Sequence, residues 1–491
     1  MEENIKVLAL DFGASSGRAI VGSFDGEKIT LQEIHRFANE PVNLLGTMYW
    51  DVLRLFHDIK TGLIKSKKIG NIKSIGIDTW GVDFGLLDKD GKLLDNPVHY
   101  RDGRTEGMLT EAFAKMDKDK FYQITGNQFM EINTVFQLLA LKKQRPELLS
   151  RAKTMLLMPD LLNYFLSGEK ATEYTIASTT QLLDAENKKW SSEIIENLEL
   201  PKEIFTPIVK PGTKIGTLTQ DICDELGVDK MDIIAVAAHD TQSAMAAVPT
   251  QQDDFIFLSC GTWSLLGTEL DKPVINEKSQ QLNITNEGGA DNKTSFLKNI
   301  IGLWLIQESR RQWIREGRTY GFGELEQMAC AVGDIDAFID TDDSEFIPAG
   351  NIPQKIKDYC SRTGQYVPCS EAEIVRVIDQ SLAIKYRFAL EEIEQCTGKK
   401  YTAINMIGGG IQSKLLCQLT ADICGRKVVA GPVEATVMGN IALQLISLGA
   451  IYDIKQARKI IANSENVTVY EPHDCAKWDE IYKRVKENIL C

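Results

Sequence analysis

Hydrophobic and polar positions change places in blocks along this chain, and the sharpest boundary comes first. Val7 to Leu10 is an apolar run that would fill a buried strand; it stops at Asp11, crosses Gly13-Ala14-Ser15-Ser16-Gly17 and resumes after Arg18 with Ala19-Ile20-Val21. The pattern predicts a strand, a tight turn and a second strand. Asp25-Gly26-Glu27 makes a further turn and Ile29 to Phe37 a third strand, so a meander opens the chain. Residues 51–66 carry apolar positions at helical spacing. From Ser74 an almost wholly apolar strand leads into Asp78, Thr79, Trp80 and Asp83 around Gly81, and the run ends in the turn Asp88-Lys89-Asp90-Gly91.

Residues 104–186 read as helices, one of them opened by Met158-Pro159-Asp160 and stopped at Gly168. After the loop Lys210-Pro211-Gly212, Asp232 to Ala238 reads as a buried strand running straight into His239-Asp240-Thr241 and a small-residue helix over 243–248. Val248 to Asp254 is polar and holds Pro249, which predicts a domain boundary and two domains, 1–248 and 249–491. Phe255 to Gly267 then repeats the opening pattern of strand, small polar turn and strand, as an internal duplication would. Beyond it the spacing predicts a loop at 286–290, a long helix over 297–317 carrying Asn299 and Gln307, an irregular stretch over 333–370 and a helix over 371–395. A strand at 404–407 then enters Gly408-Gly409-Gly410, and helices follow through Cys424 and over 436–448.

Composition narrows the class. Of 491 residues 43% are hydrophobic and 25% charged, an ordinary globular balance, while a formal net charge of −14 argues against nucleic acid or an anionic membrane as partner. The acidic start Met1-Glu2-Glu3-Asn4 does not read as a signal peptide, and no stretch reaches the length of a membrane span, so a soluble, cytoplasmic protein is expected. Ten cysteines without a close Cys-x-x-Cys pair read as free thiols, although Cys360 with Cys369 and Cys417 with Cys424 are near enough in sequence to cross-link.

Three places invite chemistry. The turn after Asp11 could offer backbone amides and serine hydroxyls to a phosphate, with Asp11 holding a metal's water shell; as an ordinary hairpin its glycines would only make the turn. The common P-loop pattern is absent. At the end of a strand, Asp240 stands where open α/β sheets expose functional carboxylates, yet Asp240 or Thr241 is also the natural N-cap of the next helix. Three successive glycines at 408–410 permit close backbone approach to a ring or sugar, or a tight turn alone.

Taken together, the runs Asp11 to Arg18, Gly76 to Phe84, Glu173 to Leu183, Ala238 to Thr241, Ser259 to Ser264, Asn283 to Ala290 and Ile407 to Gln412 resemble the FGGY carbohydrate kinases of the sugar kinase, Hsp70 and actin superfamily. The resemblance implies an α/β protein of two duplicated ribonuclease H-like (actin-like ATPase) domains with an active-site cleft between them. It implies ATP-dependent phosphorylation of a ketose at its O1 hydroxyl. Asp-Thr-Trp-Gly-Val-Asp-Phe and Asn-Ile-Thr-Asn-Glu-Gly-Gly-Ala point within the family to L-rhamnulose, with L-fuculose or a pentulose as alternatives. At matching positions it implies Asp240 as general base, and Gly81, His239, Asp240, Thr241 and Asn299 as sugar-binding. Ala14, Ser15, Ser16, Gly17, Arg18, Thr262, Gln307 and Gly409 would bind ATP, and Asp11 would anchor Mg²⁺ through water. A monomer or homodimer is expected. A non-catalytic ATPase or sugar-responsive regulator of the same superfamily is the rival from another class.

Overall fold

The opening apolar run becomes an inner strand. In this computed structural model residues 4–490 are described, so Met1-Glu2-Glu3 and Cys491 lie outside the described residues. Ile5–Phe12 pairs antiparallel with Ser16–Phe24 and parallel with Ile72–Thr79. With neighbours on both edges, it buries Val7, Leu8, Ala9 and Leu10 completely, which is why the run is continuous and does not alternate. The sheet runs Thr213–Thr217, Asp232–Ala235, Ile72–Thr79, Ile5–Phe12, Ser16–Phe24, Ile29–Ala38.

The chain forms two compact units. One comprises residues up to Gln251 together with Glu269–Phe296 and Ala435–Glu465; the other comprises Gln252–Thr268, Leu297–Glu434 and the rest from Asn466. The second unit repeats the arrangement of the first. Ile256–Cys260 pairs antiparallel with Trp263–Leu270 and parallel with Ala403–Ile407, which pairs parallel with Lys427–Ala430, and Thr468–Tyr470 closes the edge antiparallel. In the first unit the corresponding edge is Asp232–Ala235 with antiparallel Thr213–Thr217.

Within unit 1, close packing fixes the helix that begins at Asp240. Asp240–Ala246 lies against Ala435–Ser447 so tightly that a Cβ on Gly439 would stand 1.7 Å from the Ser243 carbonyl oxygen. A side chain there would force the two helices apart. Asn440 and Gln444, one turn apart on the second helix, reach the sheet: Ser74 Oγ donates to Gln444 Oε1 (2.7 Å), and Asn440 Nδ2 donates to Asp78 Oδ2 (2.5 Å).

Several expectations are corrected. Asn299 lies on the strand Thr294–Ile301, not on a helix, and the helix that follows is Trp304–Arg315. Leu297, Ile300, Ile301, Trp304 and Leu305 fall at helical spacing, so the periodicity misled. What decides is pairing, since Thr294–Ile301 lies beside Trp263–Leu270 in the second sheet, and Gly302 ends it where a Cβ would meet Ser264 Oγ at 2.5 Å. The loop expected at 286–290 is partly the strand Thr285–Gly288. The stretch 333–370 contains the helix Ile352–Arg362, opened by Pro353 in its first turn and by Asn351, whose side chain accepts from the Gln354 amide. The helix expected from 243 starts at Asp240, with His239 as N-cap and no side-chain cap bond. Among the described residues, all nine cysteines are free, and no helix is long and apolar enough to cross a membrane.

Candidate active site

In unit 1 the parallel register of the two inner strands places Asp11 beside Asp78 at their ends. Asp11 is buried and receives Arg18 Nη2 at 2.5 Å. Asp78 is fully buried; its Oδ2 accepts from Asn440, and its Oδ1 makes no hydrogen bond among the described residues. Burial, then the charge of Asp11 and that of Asp240, push the Asp78 carboxyl well above the usual range, although Asn440 opposes this.

Asp240 opens its helix and keeps 31% of its side chain exposed. Its Oδ1 accepts from the Thr241 amide at 2.6 Å and from Thr241 Oγ1 at 3.2 Å. Burial raises the Asp240 carboxyl to about 6, with the His239 charge holding it down and Asp11 pushing it further up. His239 lies between two acids, Nε2 at 3.6 Å from Asp240 Oδ1 and Nδ1 at 3.3 Å from Glu287 Oε2. The second contact is an ion pair off the line of a hydrogen bond. Burial disfavours the imidazolium, but Glu287 and Asp240 outweigh it and the His239 pKa rises. Glu287 is held by Gln242 Nε2 (3.4 Å), whose amide oxygen accepts from Ser295 Oγ (2.6 Å).

Gly81 lies in a strained turn. Val82 next to it has φ 68°, a left-handed conformation that a β-branched residue adopts at a cost on the order of 1–3 kcal/mol. Its amide donates to Thr179 Oγ1 (3.1 Å), and its carbonyl accepts from Thr134 Oγ1 (2.6 Å). Asp83 anchors the far side, accepting from the indoles of Trp50 (2.6 Å) and Trp80 (3.0 Å) and from Gln137 (2.9 Å). The turn Ala14 to Arg18 is closed by Gly13 N donating to Ser16 O (2.9 Å), so that amide is committed within the turn. Gly17 is required by packing: a Cβ there would stand 2.2 Å from the Phe37 ring.

In unit 2, Thr262 sits at the turn of the second hairpin and its Oγ1 donates to Gln307 Oε1 at 3.1 Å. The amides of Gly302 and Trp304 donate to Thr262 O, which fixes the helix bearing Gln307 against the turn. Gly408 (φ 87°) and Gly410 press on Cys260; a Cβ on Gly410 would reach its Sγ at 2.2 Å. Gly409 between them is exposed with nothing near its Cβ position, so its backbone is open to a ligand. Thr262, Gln307 and Gly409 are thus joined around one strand end. Asn299 stands next to Lys298, which pairs with Glu392 at 2.7 Å.

Sequence reasoning placed Asp78 among polar groups at a strand end, where open α/β sheets bind ligands, without a specific role, and named no role for Glu173 or Glu287. Glu287 had a signal, since it belongs to the Asn283 to Ala290 run, but only the fold brings it to His239. Glu173 is fully buried and raised to about 7 by burial against its hydrogen bonds from Thr175, Ile176 and Ala238.

The FGGY family of carbohydrate kinases matches this chain twice, its N-terminal domain over residues 6–247 and its C-terminal domain over residues 256–448. A rhamnulokinase of Halalkalibacterium halodurans is 44% identical over 468 residues, covering 95% of this chain and 99% of that protein. One of Bacteroides thetaiotaomicron is 42% identical over 487 residues, 99% of each. Among solved structures, a ligand-bound xylulose kinase from Lactobacillus acidophilus superposes with TM-score 0.79 at 18% identity, covering 98% of this chain and 97% of that one. A Plasmodium falciparum glycerol kinase with ADP superposes with TM-score 0.78 at 18% identity, covering 100% and 99%. These two establish the fold, a two-domain mixed α/β architecture of the actin-like ATPase type. With both family domains matched in order and relatives this similar over nearly the full length, the chain belongs to the FGGY family of carbohydrate kinases.

Proposed function

We propose that the chain transfers the terminal phosphoryl group of ATP to the O1 hydroxyl of L-rhamnulose, giving L-rhamnulose 1-phosphate and ADP, in the cytoplasm. The observation that carries the base assignment is Asp240: a carboxylate at a strand-to-helix junction, partly open, with a histidine held against it by a second acid. The Asp240 carboxylate accepts the proton of O1 as that oxygen forms its bond to phosphorus and the bond from phosphorus to the ADP oxygen breaks. His239, charged through Glu287, keeps Asp240 ionised. Gly81, His239, Thr241 and Asn299 orient the sugar. Ala14 to Arg18, Thr262, Gln307 and Gly409 bind ATP; in this reading 1–248 carries the base and, Asn299 apart, the sugar site, while 249–491 carries the nucleotide site apart from Ala14 to Arg18.

Mg²⁺ fits the donors present. Among the described residues no three metal-binding side chains are set to cage an ion, but Mg²⁺ is bound by one or two carboxylates with waters and phosphates. Asp11, next to the unpartnered Asp78 Oδ1, is such a donor and would hold the ion through water. When bound, the ion neutralises phosphate charge.

ADP release measured against a panel of L-rhamnulose, L-fuculose and pentuloses tests the reading. L-rhamnulose is expected to give the highest kcat/KM; preference for another ketose overturns the substrate, and ATP hydrolysis indifferent to every ketose overturns the kinase.

A further inference from the structure

A short, buried segment of unit 1 that does not line the site holds three loops that do. Glu173 caps the helix Tyr174–Ala177, which passes into the 3₁₀ turn Ser178–Thr180. Three hydroxyls on this segment share one pattern: each donates inside the segment and accepts an amide from a site loop. Thr175 Oγ1 donates to Glu173 Oε2 (2.5 Å) and accepts from His239 N (3.2 Å). Ser178 Oγ donates to Thr175 O (2.6 Å) and accepts from Gly288 N (2.7 Å), one residue past Glu287. Thr179 Oγ1 donates to Ile176 O (2.8 Å) and accepts from Val82 N (3.1 Å), one residue past Gly81. Glu173 Oε2 also accepts from Ala238 N (3.1 Å).

Close packing repeats the message. A Cβ on Gly81 would meet Thr179 at 3.2 Å, and one on Gly288 would meet the Tyr174 ring at 2.6 Å. The hydroxyls are oriented by their own donated bonds, so the lone pair each offers to a site amide has a fixed direction. Val82 is strained, and the junction at Ala238 and His239 keeps only an isolated bridge to the sheet, Thr79 N donating to Ala238 O (2.9 Å), so the amides of Val82, Ala238 and His239 take their partners from this segment.

We infer that residues 173–179 are the positioning element of the sugar site, with Thr175 setting the placement of the base through His239 and Thr179 setting ketose affinity through the turn at Gly81. The inference rests on the kinase reading above and extends it to residues that touch neither substrate nor reacting atoms. A base displaced from its line of attack loses turnover, whereas a displaced sugar-lining turn loses affinity.

The test is kinetic, on the full chain, with whichever ketose the wild type phosphorylates. Thr175→Val should lower kcat by roughly 3- to 100-fold with both KM values held within about twofold. Thr179→Val should raise the ketose KM by about 2- to 10-fold, with kcat and the ATP KM held within the same twofold window. Thr175→Ser keeps the hydroxyl and should restore turnover. If both variants shift only the melting temperature, or move all three constants together, the segment is merely structural and the inference is overturned. Should Thr175→Val fail to fold, the split between ketose KM and kcat in Thr179→Val decides alone. A wild type that prefers another ketose overturns the substrate but leaves this test intact.

Discussion

Where the hairpin of unit 1 sets Asp11 opposite Arg18 on one side and Asp78 on the other, the hairpin of unit 2 sets Ser259 opposite Leu265 and Ile407 at the same register positions. Under the first turn lie carboxyls, and the charge of Asp11 raises both Asp78 and Asp240. Under the second lie uncharged side chains, with Ser264 Oγ and Tyr386 Oη sharing a hydrogen bond at 2.7 Å and Cys260 Sγ at 3.7 Å from the same phenol, and the carboxyl whose charge reaches them, Asp379, is itself raised to about 7 by burial. Burial pushes the Cys260 thiol up to about 11, so it carries no charge near neutral pH. One scaffold therefore supplies two kinds of turn. A neutral turn can donate to a polyanion without repelling it, whereas an acid-lined one opposes a phosphate unless Arg18 or a cation intervenes. On the proposed reading, this contrast is why proton transfer is assigned to unit 1.

The comparison is broken most severely by removing the acid. Asp240→Asn should lower turnover by about 10²- to 10⁴-fold while ATP affinity, followed by calorimetry, stays near the wild-type value. Wild-type turnover in that variant would sink the base assignment. Next in size is Gly81→Val. Thr179 lies 3.2 Å from the Cβ position, so the added side chain must push the turn or fill the space of the sugar. The ketose KM should rise by roughly 10- to 200-fold against a smaller change in the ATP KM. Equal losses in both would point to a folding defect. On the neutral side, Thr262→Val removes the hydroxyl that donates to Gln307. Only a neutral hydrogen bond is lost, so the ATP KM should rise by about 2- to 10-fold with kcat preserved. A loss as large as that of Asp240→Asn would erase the distinction between the two turns.

Both hairpins and the triple-glycine turn were legible because an apolar run ending in small polar residues has few other readings. The strand bearing Asn299 was not, since Leu297, Ile300 and Ile301 satisfy a helical period as well as a strand, and what decides is pairing with Trp263–Leu270, about 30 positions earlier in the chain. Asp240 and His239 stood out at a strand end, and the Glu287 that charges His239 lay in a run already singled out. Its role could not be read there, because 48 positions separate it from His239 and only the sheet brings them together. Gly17 has a second reason that its place in a phosphate-like turn did not reveal: the space a side chain would take is filled by Phe37.

The smallest and most discriminating effect is on pH dependence. Burial raises the Asp240 carboxyl to about 6, Asp11 adds to the rise, and the charge of His239 works against it. The base acts only when ionised, so kcat/KM for the ketose should be full above about 6 and fall as pH drops through it. His239→Gln takes away the cation and leaves Glu287 and Asp11 as the charges facing the site, so the ionised form of Asp240 loses support. Its pKa must rise, and the acid limb of the profile should move to higher pH. Thr262→Val, on the neutral hairpin, should leave that limb where the wild type has it. Profiles of kcat/KM between about pH 5 and 8 for the three proteins make the comparison. An acid limb that does not move in His239→Gln would mean that the histidine serves the sugar alone and that the ionisation of Asp240 is set by Asp11 and burial.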